Sequence, residues 1–296
     1  MKSGFTFKGR HSDEFGLVMK TASRPILPEM KSYTYETPVM DGSYDFSQAN
    51  YYGREFYRNR VFTLNMQIGA DNLFELMRKI SRVSVWLTGR DELIFDDMPL
   101  VKWSAAVING IDYAPERRGK KAILSVSFDI SPFSECIFDT ENGPCLDSAV
   151  ILDSKIPLDI LSVYKMTLKS QSETVLTVIN PGTWYVRPKI KIESKSGITN
   201  FKMTINDKSF MLNASGSKVV NTFYADMENS TVYTNDGENI INLFSGDFFE
   251  TAPGKNEITV SADSSAYPLE FTFTFKPKLV YDFLTEDIDW GDVLNA

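Results

Sequence analysis

Phe62, Leu64, Met66 and Ile68 fall on one side of the run from Arg60 to Gly69, and Thr63, Asn65 and Gln67 fall on the other. That two-residue period predicts a half-buried β-strand. Ala122, Leu124, Val126, Phe128 and Ile130 repeat it against Ile123, Ser125, Ser127 and Asp129. A strand over Val101 to Tyr113 is expected to pair with this one as a hairpin closed by Pro115 to Lys121. Shorter strands are predicted at Phe5 to Phe7, Phe15 to Lys20, Lys31 to Glu36 with Tyr33 and Tyr35 in phase, and Leu93 to Phe95. A polar turn is read at His11 to Glu14. One stretch changes period. Leu73, Leu76, Met77, Ile80, Val83, Ser84 and Leu87 lie at steps of three and four, which predicts an amphipathic helix. Asp71 is its expected N-cap, and Glu75, Arg78, Lys79 and Arg82 its outer face.

Ser131-Pro132 ends the sheet pattern, and Glu135 to Asp147, holding Asn142-Gly143-Pro144, reads as a connector. Beyond it helical periodicity almost disappears. Strands are expected at Thr174 to Ile179, Val186 to Ile192, Phe201 to Ile205, Phe210 to Leu212, Lys218 to Phe223, Thr231 to Tyr233, Glu257 to Val260 and Leu269 to Phe275. Asn206-Asp207, Asn235-Asp236-Gly237 and Pro253-Gly254 supply turns between them. Many short strands at this spacing suggest a sandwich or jelly roll. The chain therefore reads as mainly β. Residues 1–135 form a β-sheet, barrel-like domain with one α-helix, residues 136–277 a β-sandwich, and residues 278–296 an acidic tail.

Composition agrees with this class. Aromatic residues make up 13% of the 296, with 21 Phe and 13 Tyr, and flat rings pack well on pleated surfaces. Charge is uneven. Residues 1–140 carry 18 Lys+Arg against 18 Asp+Glu, so the whole net charge of −8 lies in residues 141–296, where 13 face 21. That balance argues against a nucleic-acid-binding second half, because neutralising phosphates needs clustered Lys and Arg. The first residues have no continuous apolar core of a signal peptide, and no segment approaches the roughly 18 apolar residues of a membrane span. A protein made in a cytoplasm and not inserted in a membrane is expected. Cys136 and Cys145 do not make a disulfide framework in a chain of this length, and reduced thiols are expected.

Candidate chemistry is sparse. His11 is the single histidine, so any Ser-His-Asp or Cys-His mechanism would have to use it, and it sits in a polar turn. Two Cys and one His lack zinc-site spacing. Asp96-Asp97, or Glu141 with Asp147, could serve as a carboxylate pair for glycoside hydrolysis, yet spacing alone proves no such pair. The acidic run Asp282 to Asp292 lacks the glycine and ligand spacing of a calcium loop. Arg117-Arg118-Gly119-Lys120-Lys121 is the sharpest basic cluster and has no interleaved aromatics to stack bases. It reads as a solvated hairpin tip or a contact with an acidic neighbouring copy. Trp184 and Tyr185 could stack on a sugar, or pack inside the fold. No catalytic, cofactor-binding or metal-ligating residue is nominated, and no cofactor is expected.

Thr37-Pro-Val-Met-Asp-Gly-Ser-Tyr-Asp-Phe46, followed by Asn50-Tyr-Tyr-Gly-Arg-Glu55 and the strand from Arg60, resembles the N-terminal domain of siphophage distal tail proteins, the Dit family. Asn180-Pro-Gly-Thr183 with Arg187-Pro188, and Asp247-Phe-Phe-Glu-Thr-Ala-Pro-Gly-Lys-Asn256, are similar to turns in that family's C-terminal domain, a galectin-like β-sandwich. The sequence departs from the pattern at Met40 and in the length of its acidic tail. The resemblance implies a virion structural protein, from a phage or prophage. It would form a hexameric ring at the tail tip, around the DNA channel, after assembly in the bacterial host cytoplasm. Its partners would be other copies of itself, the major tail tube protein, a tail-tip or baseplate protein and, as a further candidate, the tape-measure protein. Sequence-specific nucleic acid is not among them, and no enzyme activity is implied. The alternative is a carbohydrate-binding adhesin or receptor-binding module acting through the sandwich.

Overall fold

The computed structural model describes residues 4–39, 41–115, 120–138, 140, 164–169, 174–214, 219–263 and 266–281. The chain separates into two compact units, Met1–Glu135 with Val280–Asp282, and Cys136–Leu279 with Phe283–Ala296.

In the first unit the strands are β1 (Phe5–Phe7), β2 (Arg10–His11), β3 (Leu17–Ser23), β4 (Thr34–Tyr35), β5 (Tyr44–Asp45), β6 (Arg60–Gly69), β7 (Arg90–Phe95), β8 (Met98–Pro115), β9 (Lys121–Ile130) and β10 (Ser134–Cys136). A single helix, α1, spans Leu73–Trp86. The main sheet runs β2-β1-β7-β8-β9-β6-β3, with every pairing along it antiparallel. The alternation read for β6 and β9 sets their register. Phe62 faces Phe128, Leu64 faces Val126 and Met66 faces Leu124, all buried.

This sheet is curved. Phe7 of β1 and Phe128 of β9 lie three strands apart in the order, yet their ring centroids are 5.7 Å apart. A flat sheet would separate those strands by about 14 Å. Phe62 of β6 and Phe95 of β7, also three strands apart, approach to 6.1 Å. The sheet thus wraps its own aromatic core, as the barrel-like reading expects. α1 adds Leu76, Val83 and Trp86. Trp86 stacks on Phe15 at 4.2 Å, and its Nε1–H donates to the Phe7 carbonyl at 2.9 Å, so the ring is packed and its polar edge satisfied.

Several local expectations are corrected. The N-cap is Asn72, whose Oδ1 accepts from the Glu75 amide at 3.0 Å, one residue after the expected Asp71. Leu73 and Met77, read as core positions, are exposed, because the helix carries apolar residues on more than one face. Phe15 belongs to a 3-10 turn, Ser12–Phe15, and the strand begins at Leu17. The strand expected over Lys31 to Glu36 shrinks to the pair Thr34–Tyr35, and both tyrosines face solvent.

In the second unit β11 (Lys165–Leu168), β12 (Thr174–Asn180), β13 (Lys189–Ile198), β14 (Asn200–Ile205), β15 (Lys208–Asn213), β16 (Val220–Asp226), β17 (Thr231–Thr234), β18 (Phe244–Gly246), β19 (Gly254–Ala262), β20 (Leu269–Thr274) and β21 (Lys278–Leu279) follow in order. Two five-stranded sheets form, β11-β20-β13-β16-β17 and β12-β19-β14-β15-β18. Phe201 of β14 meets Phe223 of β16 at 5.7 Å and Phe271 of β20 at 6.0 Å, so the sheets pack face to face around buried aromatics. The expected β-sandwich is present. The strand predicted from Val186 begins at Lys189, after Pro188, with Val186 only bridged to Thr251. The connector between units lies largely outside the described residues, as do Cys145 and the acidic tail beyond Tyr281. Cys136 is buried.

β13 passes directly into β14, and Asp263 fastens that crossing between sheets. Its carboxylate accepts from the Thr199 hydroxyl and from the Asn200 amide at 2.8 Å. The Thr199 hydroxyl foremost, then Asn200, holds the Asp263 pKa below its ordinary value. A depressed carboxylate pKa stabilises the fold at pH above its unfolded value, and that contribution is lost as pH falls through the folded value. Asp263→Asn is therefore expected to lower the melting midpoint at neutral pH and to lose less on acidification than the parent, measured by thermal melts across the acid range. For the helix, Asn72→Ala should cost about 1 kcal/mol by denaturant titration. Asp71→Ala should stay within about 0.5 kcal/mol.

Candidate assembly surfaces

His11 does not enter a nucleophile constellation. Its Nε2 is 3.0 Å from Asp96 Oδ1, and its Nδ1 accepts from the Asp13 amide at 3.2 Å. Asp96 Oδ2 also accepts from the Gly4 amide at 2.8 Å. The group is a structural clasp on the start of β1. Neighbouring Asp97 instead takes a two-pronged ion pair from Arg24, at 3.0 and 2.5 Å. Arg24 accordingly holds the Asp97 carboxyl below its usual pKa. The two adjacent carboxylates are thus committed to different partners and do not face a common cleft. Glu141 and Asp147 lie outside the described residues, as do Arg117, Arg118 and Gly119 of the basic cluster. Lys120 and Lys121 are exposed. Among the described residues no three His, Cys, Asp or Glu side chains gather where a metal could sit. No helix there is long and apolar enough to cross a membrane.

What the first unit does present is exposed apolar side chains on two elements. One is the arm between Arg24 and Arg60, where Ile26, Leu27, Tyr33, Tyr35, Val39 and Tyr44 are all more than half exposed. The other is the outer face of α1. The arm is internally built. Lys31 N–H donates to the Phe56 carbonyl at 2.7 Å, and Arg58 N–H to the Glu29 carbonyl at 2.8 Å. β4 and β5 pair as a small hairpin. Ser47, buried within it, donates to Asp45 at 2.5 Å and accepts from the Tyr33 amide at 3.0 Å. Gly42, at φ 86°, makes the turn that a β-branched residue would strain.

Two arginines root the arm. Arg24 leaves β3 and reaches Asp97. At the other end Arg60, only 3% exposed, donates to the carbonyls of Pro25 at 3.2 Å, Ile26 at 2.7 Å and Val280 at 2.7 Å. Burial pushes its guanidinium pKa down to about 10, so the charge persists at neutral pH. A lone arginine at a strand start gave no signal of this role in the sequence.

In the second unit Trp184 and Tyr185 meet edge to face at 5.6 Å, both half-buried. A different aromatic group lies on the solvent side of one sheet. Tyr224 and Tyr233, paired across β16 and β17, stack at 5.2 Å, and the Lys189 ammonium sits 5.1 Å and 5.5 Å from the two ring centres.

Residues 181–278 match the family model of the siphovirus-type tail component, C-terminal domain. The matched stretch takes in β13 to β20, the Asp247–Asn256 turn and, from Pro181 on, the first turn singled out in the sequence. Along 93% of this chain and 98% of its own, the crystal structure of SPP1 Dit (gp 19.1) superposes with a TM-score of 0.65 at 14% identity. This likeness establishes a common fold from the first unit through the tail-component domain. A chain of the phage P2 baseplate, solved in its activated conformation with Ca, spans 95% of this chain and 100% of its own at 9% identity, with a TM-score of 0.41. That agreement is too loose to bear on the fold. No curated protein matches the sequence.

Replacing Arg60 by Met keeps the aliphatic stem and removes the donors to three carbonyls. The loss expected is about 3 kcal/mol of stability. Faster proteolytic cleavage within residues 26–57 should accompany it, read by denaturant titration and timed digestion against the parent.

Proposed function

We propose that this protein is a structural distal tail protein of a siphophage or prophage, a self-assembling hub between tail tube and tail tip. The observation that carries the reading is the fold shared with SPP1 Dit along nearly the whole chain. That protein's structure is described as a paradigm of the hub adsorption apparatus in phages infecting Gram-positive bacteria. The tail-component domain in residues 181–278 supports the same reading from an independent comparison.

The work of such a hub is mechanical. A head-to-tail contact repeated around a closed ring turns one weak interface into several cooperating ones. We assign ring building to the first unit, residues 1 to about 135, which carries the exposed apolar arm and helix face. The second unit is assigned as an outward docking platform for a baseplate or tail-tip protein. Six copies are expected in the ring, around a DNA channel whose lining is near neutral or acidic, since clustered Lys and Arg would hold the passing phosphates. The major tail tube protein is its neighbour on one side, and the site of action is the virion tail tip.

A glycan-binding module is the second reading, and the Tyr224–Tyr233 pair beneath Lys189 is the feature that favours it. Negative-stain electron microscopy with light scattering on the same sample separates the two. Six-fold rings of six-chain mass are expected. A monodisperse monomer that binds a glycan array, and loses that binding in Tyr233→Ala, would replace the hub with the adhesin.

A further inference from the structure

We propose that Val280–Tyr281 is a releasable latch seated where the two ends of the arm meet, so that the order of the arm follows the state of these two residues. The inference deepens the hub reading above by naming a control on its assembling unit.

The seat is an aromatic floor. Trp103, 1% exposed, lies between Phe62 and Phe95, with ring centroids 5.8 Å from each. Each flanking ring carries one of the arginines that root the arm. The Arg60 guanidinium is 5.7 Å from the centre of Phe62, and that of Arg24 is 4.6 Å from the centre of Phe95. The middle ring carries Tyr281, at 6.2 Å. Tyr281 also interacts electrostatically with both arginines. One residue late in the chain therefore meets both ends of the arm.

Arg60 ties the pieces directly. Its Nη1 holds the carbonyls of Pro25 and Ile26 at the start of the arm, while its Nη2 holds the Val280 carbonyl. The fully buried Ser134 hydroxyl donates to the Tyr281 carbonyl at 3.0 Å. Because a guanidinium is a rigid fork, the acceptor on one prong helps to aim the other. Losing Val280 leaves the arm's carbonyls on a side chain that is free to turn.

The seat is also short of acceptors. Arg60 Nε and Trp103 Nε1 are buried with no partner among the described residues. Each such donor costs about 1–3 kcal/mol, and opening the latch returns both to water. That offsets part of the cost of release, which separates a latch from an ordinary core contact.

Val280 and Tyr281 belong to the first unit, yet the chain reaches them only after most of the second. An arm rooted on them is held only in a chain that already carries that unit. Under the hub reading, a first unit made ahead of that point does not present a finished arm for assembly.

The test is hydrogen–deuterium exchange on the full chain, followed at the Lys31 and Arg58 amides, which bond to the Phe56 and Glu29 carbonyls inside the arm. Tyr281→Ala should speed exchange there by about tenfold or more, while amides between β6 and β9 and between β13 and β20 change by less than about threefold. Tyr281→Phe, which keeps the ring on Trp103, should stay near the parent. Ser134→Ala, a milder change, should move the same two amides in the same direction. Arm amides that ignore both Tyr281→Ala and Ser134→Ala, or exchange that rises equally between β6 and β9, would overturn the latch. Light scattering on the parent judges the hub separately. A parent that stays monomeric while its arm follows Tyr281 would leave the latch standing and remove its role in assembly.

Discussion

Arg60 is the constraint on which the first unit depends. A guanidinium is costly to bury unless its donors are matched, and here Nη1 and Nη2 meet carbonyls of the departing arm and of Val280, while the buried Nε has no partner among the described residues. The interaction therefore fixes three segments at once, the end of the β3 excursion, the start of β6 and the segment at Val280. Because β6 pairs with both β3 and β9, the anchor also fixes where the central register begins.

From that root the two structural tasks of the unit separate. The curved sheet turns its aromatic residues inward, and Phe5, Phe7, Phe62, Phe95, Phe128 and Trp103 fill the space with no exposure to solvent beyond 1%. The arm and α1 do the opposite and leave apolar side chains outside. A monomer gains nothing from Phe74 or Val39 in water, whereas an assembled protein gains apolar burial at each contact. The core holds the unit together, and the excess surface is what the proposed hub would offer its neighbours. The second unit divides along the same line, with buried aromatics between its sheets and an aromatic pair with a cation outside.

The sequence made the regular parts legible and left the contacts obscure, for physical reasons. β6, β9 and β20 were readable because each buries alternate residues, and burial is what the two-residue period records. α1 was readable as a helix but not in its orientation, since steps of three and four apply equally to a stripe facing the core and one facing a neighbour. Leu73 and Met77 were misassigned for that reason. β18 buries none of its residues and β11 only Leu168, so neither leaves a burial period to read. The commitment of Asp96 to His11 and Asp97 to Arg24 depends on chain separations of 85 and 73 residues, beyond the reach of local pattern.

The family resemblance rested on residues 37–60, a stretch in which periodicity shows little. Residues 26–57 contain little regular structure and much exposed apolar surface, which in an isolated domain would mark a poorly folded loop. Ser47, the Gly42 turn and the two arginine anchors argue otherwise, because internal hydrogen bonds and a rooted base hold the arm before any partner arrives. A segment ordered in advance loses less conformational entropy on binding than a disordered one, so a modest contact can suffice at each interface of a ring.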